Sequence, residues 1–173
     1  MISARIKDYW SRIILVLPVI LMFSGSLEIK AQEPPPRPVR ITATAQSLRF
    51  GAFYHGATGG TVTILPSSLR SATGDVVLLG LGFPFSSALF EVHANRGTVI
   101  SILNGPDALL VGVPSGSMNL HIGSSNPSSP FVSTVPYSVA IQLYVGGILT
   151  VGNSAANPPG SYTGTFDITL VQE

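Results

Sequence analysis

Residues 137–171 read YSVAIQLYVGGILTVGNSAANPPGSYTGTFDITLV. In the closing run, Tyr162, Phe166, Ile168 and Leu170 fall on one side of a two-residue repeat. Thr163, Thr165, Asp167 and Thr169 fall on the other. This is the pattern of a strand with one buried and one wetted face. Upstream, two apolar-alternating runs flank Gly146-Gly147. Two glycines suit the positive backbone angles of a tight turn, so residues 135–145 and 148–151 are expected to pair as a hairpin. Such strands cannot stand alone, and the preceding chain must supply the rest of the sheet.

That preceding chain has the same texture. Val39, Ile41, Ala43 and Ala45 alternate with Arg40, Thr42 and Thr44. A short strand is expected at 48–53, a turn at 55–60 and a strand at 61–65 stopped by Pro66. Residues 67–75 read as a hairpin connection, 76–79 as a strand buried on both faces, and 80–87 as an apolar loop. Residues 88–93 and 98–103 are strands joined by Asn95-Arg96-Gly97, and Asn104-Gly105-Pro106 is a turn signal. Residues 109–113 and 118–122 pair around 114–117. The polar loop 123–130 is expected to cross between sheets, and residues 157–160 deliver the final strand. Nine to eleven short strands, with no helical window, predict an all-β fold: an antiparallel β-sandwich, immunoglobulin-like or pilin-like. No segment repeats at a fixed period. A small outer-membrane barrel is the structural rival, but several strands span too few residues for one.

The chain has 173 residues, enough for one domain with a core. Residues 1–31 have the three-part form of a secretory signal peptide: Arg5, Lys7 and Arg12, an apolar run at 13–23, then Ala31 before the expected cut. That run is too short for a spanning helix and contains Pro18, although an uncleaved anchor is the alternative. Residues 32–38 form a Pro-rich leader containing EPPPRP, and 39–173 form the domain. The expected location is periplasm, cell surface or extracellular, with no membrane span in the processed chain.

From residue 32 onward there are five arginines, no lysine and six carboxylates, a formal charge of −1 against +1 for the whole chain. This offers no electrostatic footprint for nucleic acid or an anionic membrane. There is no cysteine, which removes thiolate chemistry, cysteine zinc sites and a lipid-modified cysteine. The missing lysine removes lysine-to-asparagine cross-links.

Two blocks carry a family resemblance. The first is LRFGAF with GGTVTILPSSLRSATGDVVLLG, within residues 48–80. The second is YVGGILTVGNSAANPPGSYTGTFDITL, residues 144–170. In order and spacing they resemble the bacterial family called domain of unknown function 4402, with Ile148 standing where that family usually has threonine. The resemblance implies an exported β-rich domain of a bacterial envelope or surface, and it brings no catalytic residues. The end GSYTGTFDITLV also resembles the close of pilin and spore-coat-like sandwiches, a likeness of fold that does not settle function.

Candidate chemistry is sparse. His55, His93 and His121 are far apart in sequence and lack metal-site spacing. No GxSxG elbow occurs, and no spacing selects Asp75, Asp107 or Asp167 as a triad member. Glu91 has no obvious acidic partner for glycoside cleavage. Gly80-Leu81-Gly82 lacks the third glycine of a nucleotide fingerprint. Asn126 precedes proline, so no glycosylation sequon is present. Phe83-Pro84-Phe85 is expected to seal an end of the core, with a docking patch as the alternative. Residues 39–45 are expected to pair in their own sheet, with donation to a neighbour as the alternative.

No catalytic, cofactor-binding or metal-ligating residues are therefore expected. The expected function is a non-enzymatic exported structural or interaction module, whose partner is another protein or a second copy at the cell surface. The alternatives are a fibre-forming pilin-like subunit using residues 39–45, and a carbohydrate-binding module using Phe83, Phe85 and Tyr54. The last is weakened because Trp10, the single tryptophan, lies in the signal segment.

Overall fold

The computed structural model describes residues 37–173. The segment expected to be a signal peptide, 1–31, and most of the Pro-rich stretch 32–38 lie outside the described residues. Thirteen strands follow one another: β1 (Arg40–Ala43), β2 (Arg49–Phe50), β3 (Phe53–Ile64), β4 (Arg70–Leu78), β5 (Phe85–Ser86), β6 (Ala88–His93) and β7 (Val99–Asn104). Then come β8 (Ala108–Val113), β9 (Ser117–Asn126), β10 (Phe131–Val132), β11 (Ile141–Val151), β12 (Ser161–Thr163) and β13 (Ile168–Gln172). No helix occurs among the described residues, and every pairing is antiparallel. The expected all-β, antiparallel class is what is found.

The large sheet has eight strands in the order β1-β6-β11-β9-β8-β12, with β3 also on β11 and β4 on β3. A second sheet has the order β10-β7-β13, and β2 pairs with β5. The 123–130 segment does carry the chain between sheets, although its first half continues β9. The closing run also changes sheets. Tyr162 lies in β12 against β8, whereas Ile168 and Leu170 lie in β13 against β7. Its alternation holds across the gap: Tyr162, Phe166, Ile168 and Leu170 are partly buried, and the residues between them are exposed.

The hairpin expected at Gly146-Gly147 does not exist. Residues 141–151 form one continuous strand, which pairs with β6 through its first half and with β3 through its second. Gly146 sits where β3 and β6 diverge. A Cβ there would stand 2.3 Å from the Ile64 carbonyl oxygen and 3.1 Å from the Leu65 carbonyl carbon. The glycine serves close approach of a backbone, not a turn. Opposite it, Gly123 and Ser124 of β9 together face one residue, a β-bulge. Ser87, fully buried, pins the fork. Its hydroxyl donates to the Pro66 carbonyl at 3.0 Å, its N–H donates to Ser68 Oγ at 3.1 Å, and its carbonyl accepts from Gln46 Nε2 at 3.0 Å.

Three other local expectations are corrected. Residues 55–60 are not a turn but the middle of β3, where Gly56 to Gly59 bulge around the single opposing residue Asp75. Residues 70–75, expected as part of a connection, belong to β4, and the turn shrinks to the segment closed by Leu65 N–H to Leu69 O. Val76 is buried but Val77 is 55 % exposed, so this strand has one wet face. The apolar run there reflects a water-facing valine, not burial on both sides.

The core lies on one face of the large sheet. Leu143, Val145, Leu149 and Val151 of β11 meet Met118, Leu120 and Ile122 of β9, with Val62, Ile64 and Val92 beside them. Ile100 of the second sheet joins the same core, and Ile102, Phe131, Ile168 and Leu170 pack against it.

Candidate interaction surface

The histidines are dispersed and each has its own partner. His55 Nε2 lies 2.9 Å from the Asn157 carbonyl oxygen, and His93 Nδ1 lies 2.9 Å from that of Tyr137. His121 Nδ1 meets Asp107 Oδ1 at 2.7 Å on the exposed side of β9, and Asn119 Nδ2 donates to the other oxygen of Asp107 at 3.1 Å. Among the candidate acid and histidine residues, the fold thus brings together only His121 and Asp107. No group of three or more metal-ligating side chains forms among the described residues. Asp167 is exposed, as expected, but in the connection between β12 and β13 rather than within a strand.

Asp75 has a structural task. The Thr58 N–H donates to its Oδ2 at 2.8 Å, holding the chain of the β3 bulge around the carboxylate. This hydrogen bond holds the carboxyl below the usual carboxylate range, against an opposing contribution from desolvation. A folded-state pKa below the unfolded one means the interaction stabilises the fold above the ordinary carboxylate range. That stabilisation is lost as pH falls through the folded pKa. Asp75→Asn is therefore expected to melt below the wild type at neutral pH, with the gap closing in acid. Melting temperatures across a pH series check this; a gap that persists unchanged in acid contradicts it.

The surface that departs most from expectation is apolar. β8 reads ALLVGV and alternates strictly: Ala108, Leu110 and Gly112 are buried. Leu109, Val111 and Val113 face water at 60, 57 and 68 % exposure. Their cross-strand neighbours are short and polar: Asn119 and Ser117 on β9, Ser161 and Thr163 on β12. The stripe was not visible in sequence because both faces of β8 are apolar, and a continuous apolar run reads as buried throughout. The loop before β5 forms a second patch. Phe83 and Phe85 are 64 and 45 % exposed, so this loop does not seal the core as expected. Phe85 instead lies under the Arg70 guanidinium, 4.4 Å from the ring centroid. Tyr54 is likewise exposed, on β3.

Together these features define an all-β antiparallel domain with apolar side chains standing in water on a strand face and on a loop. The chain belongs to the family described as Domain of unknown function (DUF4402), which matches residues 39–171. No curated protein and no solved structure matches it.

Proposed function

We propose that this chain is an exported, non-enzymatic interaction module of the bacterial cell envelope, built as a two-layer sandwich of immunoglobulin-like topology. Three features support the finer fold reading. The spatial order β12-β8-β9-β11 is a Greek-key succession, with the last strand returning beside the first. The Tyr162 hydroxyl donates to the carbonyl of Pro158, four residues upstream, at 2.7 Å, the form of a tyrosine corner. Ile100 brings the smaller sheet into the common core.

The observation that carries the interaction reading is the stripe of Leu109, Val111 and Val113. Contiguous apolar area on a soluble domain marks a contact surface. The signal-like segment and the family resemblance carry the export reading. Fractionation of native cells with sizing of the released protein tests both. The processed chain should leave the cytoplasm and run larger than a monomer. Threonine at 109, 111 and 113 should return it to monomer size with little change in melting temperature, since threonine keeps the β-branched shape of Val111 and Val113 and suits the exposed strand position of Leu109. An unprocessed cytoplasmic protein, or a hydrolytic activity abolished by one Ser, His or Asp substitution, would sink the proposal.

Fibre formation by strand donation from residues 39–45 is disfavoured because β1 pairs with β6 of its own chain, Ile41 opposite Val92. Carbohydrate binding through Tyr54, Phe83 and Phe85 would register on a glycan array.

A further inference from the structure

We propose that residues 79–85 form a membrane-contact loop, which seats its apolar tip in the interface of an anionic lipid bilayer. The proposal deepens the reading of the domain as an envelope interaction module and rests on it.

The chain from 76 to 90, VVLLGLGFPFSSALF, contains no charged residue. Leu81, Phe83 and Phe85 of this segment are 65, 64 and 45 % exposed. At Gly80 and Gly82 a Cβ would meet nothing within 4 Å. The loop therefore projects from the domain, and its large side chains stand on a convex tip rather than lining a groove. Tyr54 and Val77, paired across β3 and β4, add a second apolar tier at 62 and 55 % exposure. A tyrosine ring with its hydroxyl suits the boundary between acyl chains and headgroups.

The base of the loop is cationic and rigid. Arg70 donates from Nη1 to the carbonyls of Phe50 and Ala52, and from Nη2 to that of Leu79, while stacking on Phe85. Arg49 lies beside Ser86 in the β2–β5 pair and is exposed. Several carboxylates are engaged elsewhere: Asp75 at Thr58, Asp107 at His121 and Glu173 at Ser101. An apolar tip above two arginines is complementary to a negatively charged headgroup layer over hydrocarbon. A convex tip also needs no preformed pocket, which a protein partner would have to provide. The net charge of −1 from residue 32 onward gave no footprint for an anionic membrane, but a bilayer interacts with the charges within a Debye length of its surface, and at this loop those are Arg49 and Arg70.

The test is sedimentation of the full protein, as purified from native cells, with phosphatidylcholine vesicles with and without phosphatidylglycerol. Wild type should sediment with both and favour the anionic vesicles several-fold. Leu81→Ser with Phe83→Ser should weaken binding about tenfold or more, since burying one large apolar side chain is worth a factor of that order. Arg49→Gln should reduce the anionic preference and keep the binding. The chain has no cysteine, so Phe83→Cys gives a single labelling position for an environment-sensitive fluorophore, whose emission should shift to the blue on vesicles. Wild type that stays in the supernatant overturns the proposal, as does binding indifferent to Leu81 and Phe83, or a label that stays in water. Failure here would leave the interaction-module reading standing, because fractionation and sizing test that reading separately.

Discussion

Replacing Gly146 by alanine is expected to destabilise the domain by about 3 kcal/mol or more, lowering Tm by roughly 10 °C. The cause is steric and local. The new methyl would stand 2.3 Å from the Ile64 carbonyl oxygen, 3.1 Å from the Leu65 carbonyl carbon and 3.2 Å from Pro66 Cδ. Two of these are backbone atoms and the third is a ring carbon, so no flexible side chain can yield. Relief requires β3 to move off β11, which breaks the ladder that pairs Gly147 with Ile64 and Ile148 with Thr63. Gly123, across the sheet, is the control. A Cβ there meets its nearest atoms at 3.7 Å, ordinary contact, so Gly123→Ala should change stability by less than about 1 kcal/mol. Thermal or urea unfolding of the two variants measures the difference. Equal effects would mean that Gly146 is not the point where the sheet divides.

Asn157→Ala should cost about 3 kcal/mol, because two backbone groups lose their partners inside the protein. Asn157 is 2 % exposed. Its Oδ1 accepts the Gly152 N–H, and its Nδ2 donates to the Ser117 carbonyl. One side chain thereby ties the end of β11 to the start of β9 and shapes the excursion toward β12. Its own carbonyl also holds His55 in the β3 bulge. Asn153→Ala, four residues earlier in the same loop, removes one exposed hydrogen bond to the Ala156 N–H. It should cost no more than about 1 kcal/mol. Urea unfolding that ranked the two alike would show that the buried asparagine is not the staple.

Much of the strand content was legible from period-two alternation. β6 spans residues 88–93 as read, the β8–β9 hairpin lies where it was placed, and the closing alternation matches the observed burial. At Gly146-Gly147 the sequence holds the contrary signal as well. Ile141, Leu143, Val145, Gly147, Leu149 and Val151 hold one parity straight through the glycines. A two-residue hairpin would set Val145 opposite Ile148 and turn Leu149 and Val151 to water. Parity favours a single strand, and in the folded chain it outweighs the turn chemistry of the two glycines. The turn expected at 55–60 gives way to the β3 bulge for a related reason: glycines in a strand signal bulges as well as turns.

The candidate surface was less legible. Phe83 in a loop and Val111 in a strand are apolar residues of the kind that fill cores, and nothing in their neighbours marks them as wet. The sequence alone determined the class: alternation commits the chain to strands, and missing cysteines and scarce paired acids narrow its chemistry. Only the tertiary structure decided which strands share a sheet, that one long strand is shared between two neighbours, and which apolar residues remain outside. Alternation records the two faces of a strand but not what lies across either face, and that depends on contacts between residues far apart in the chain.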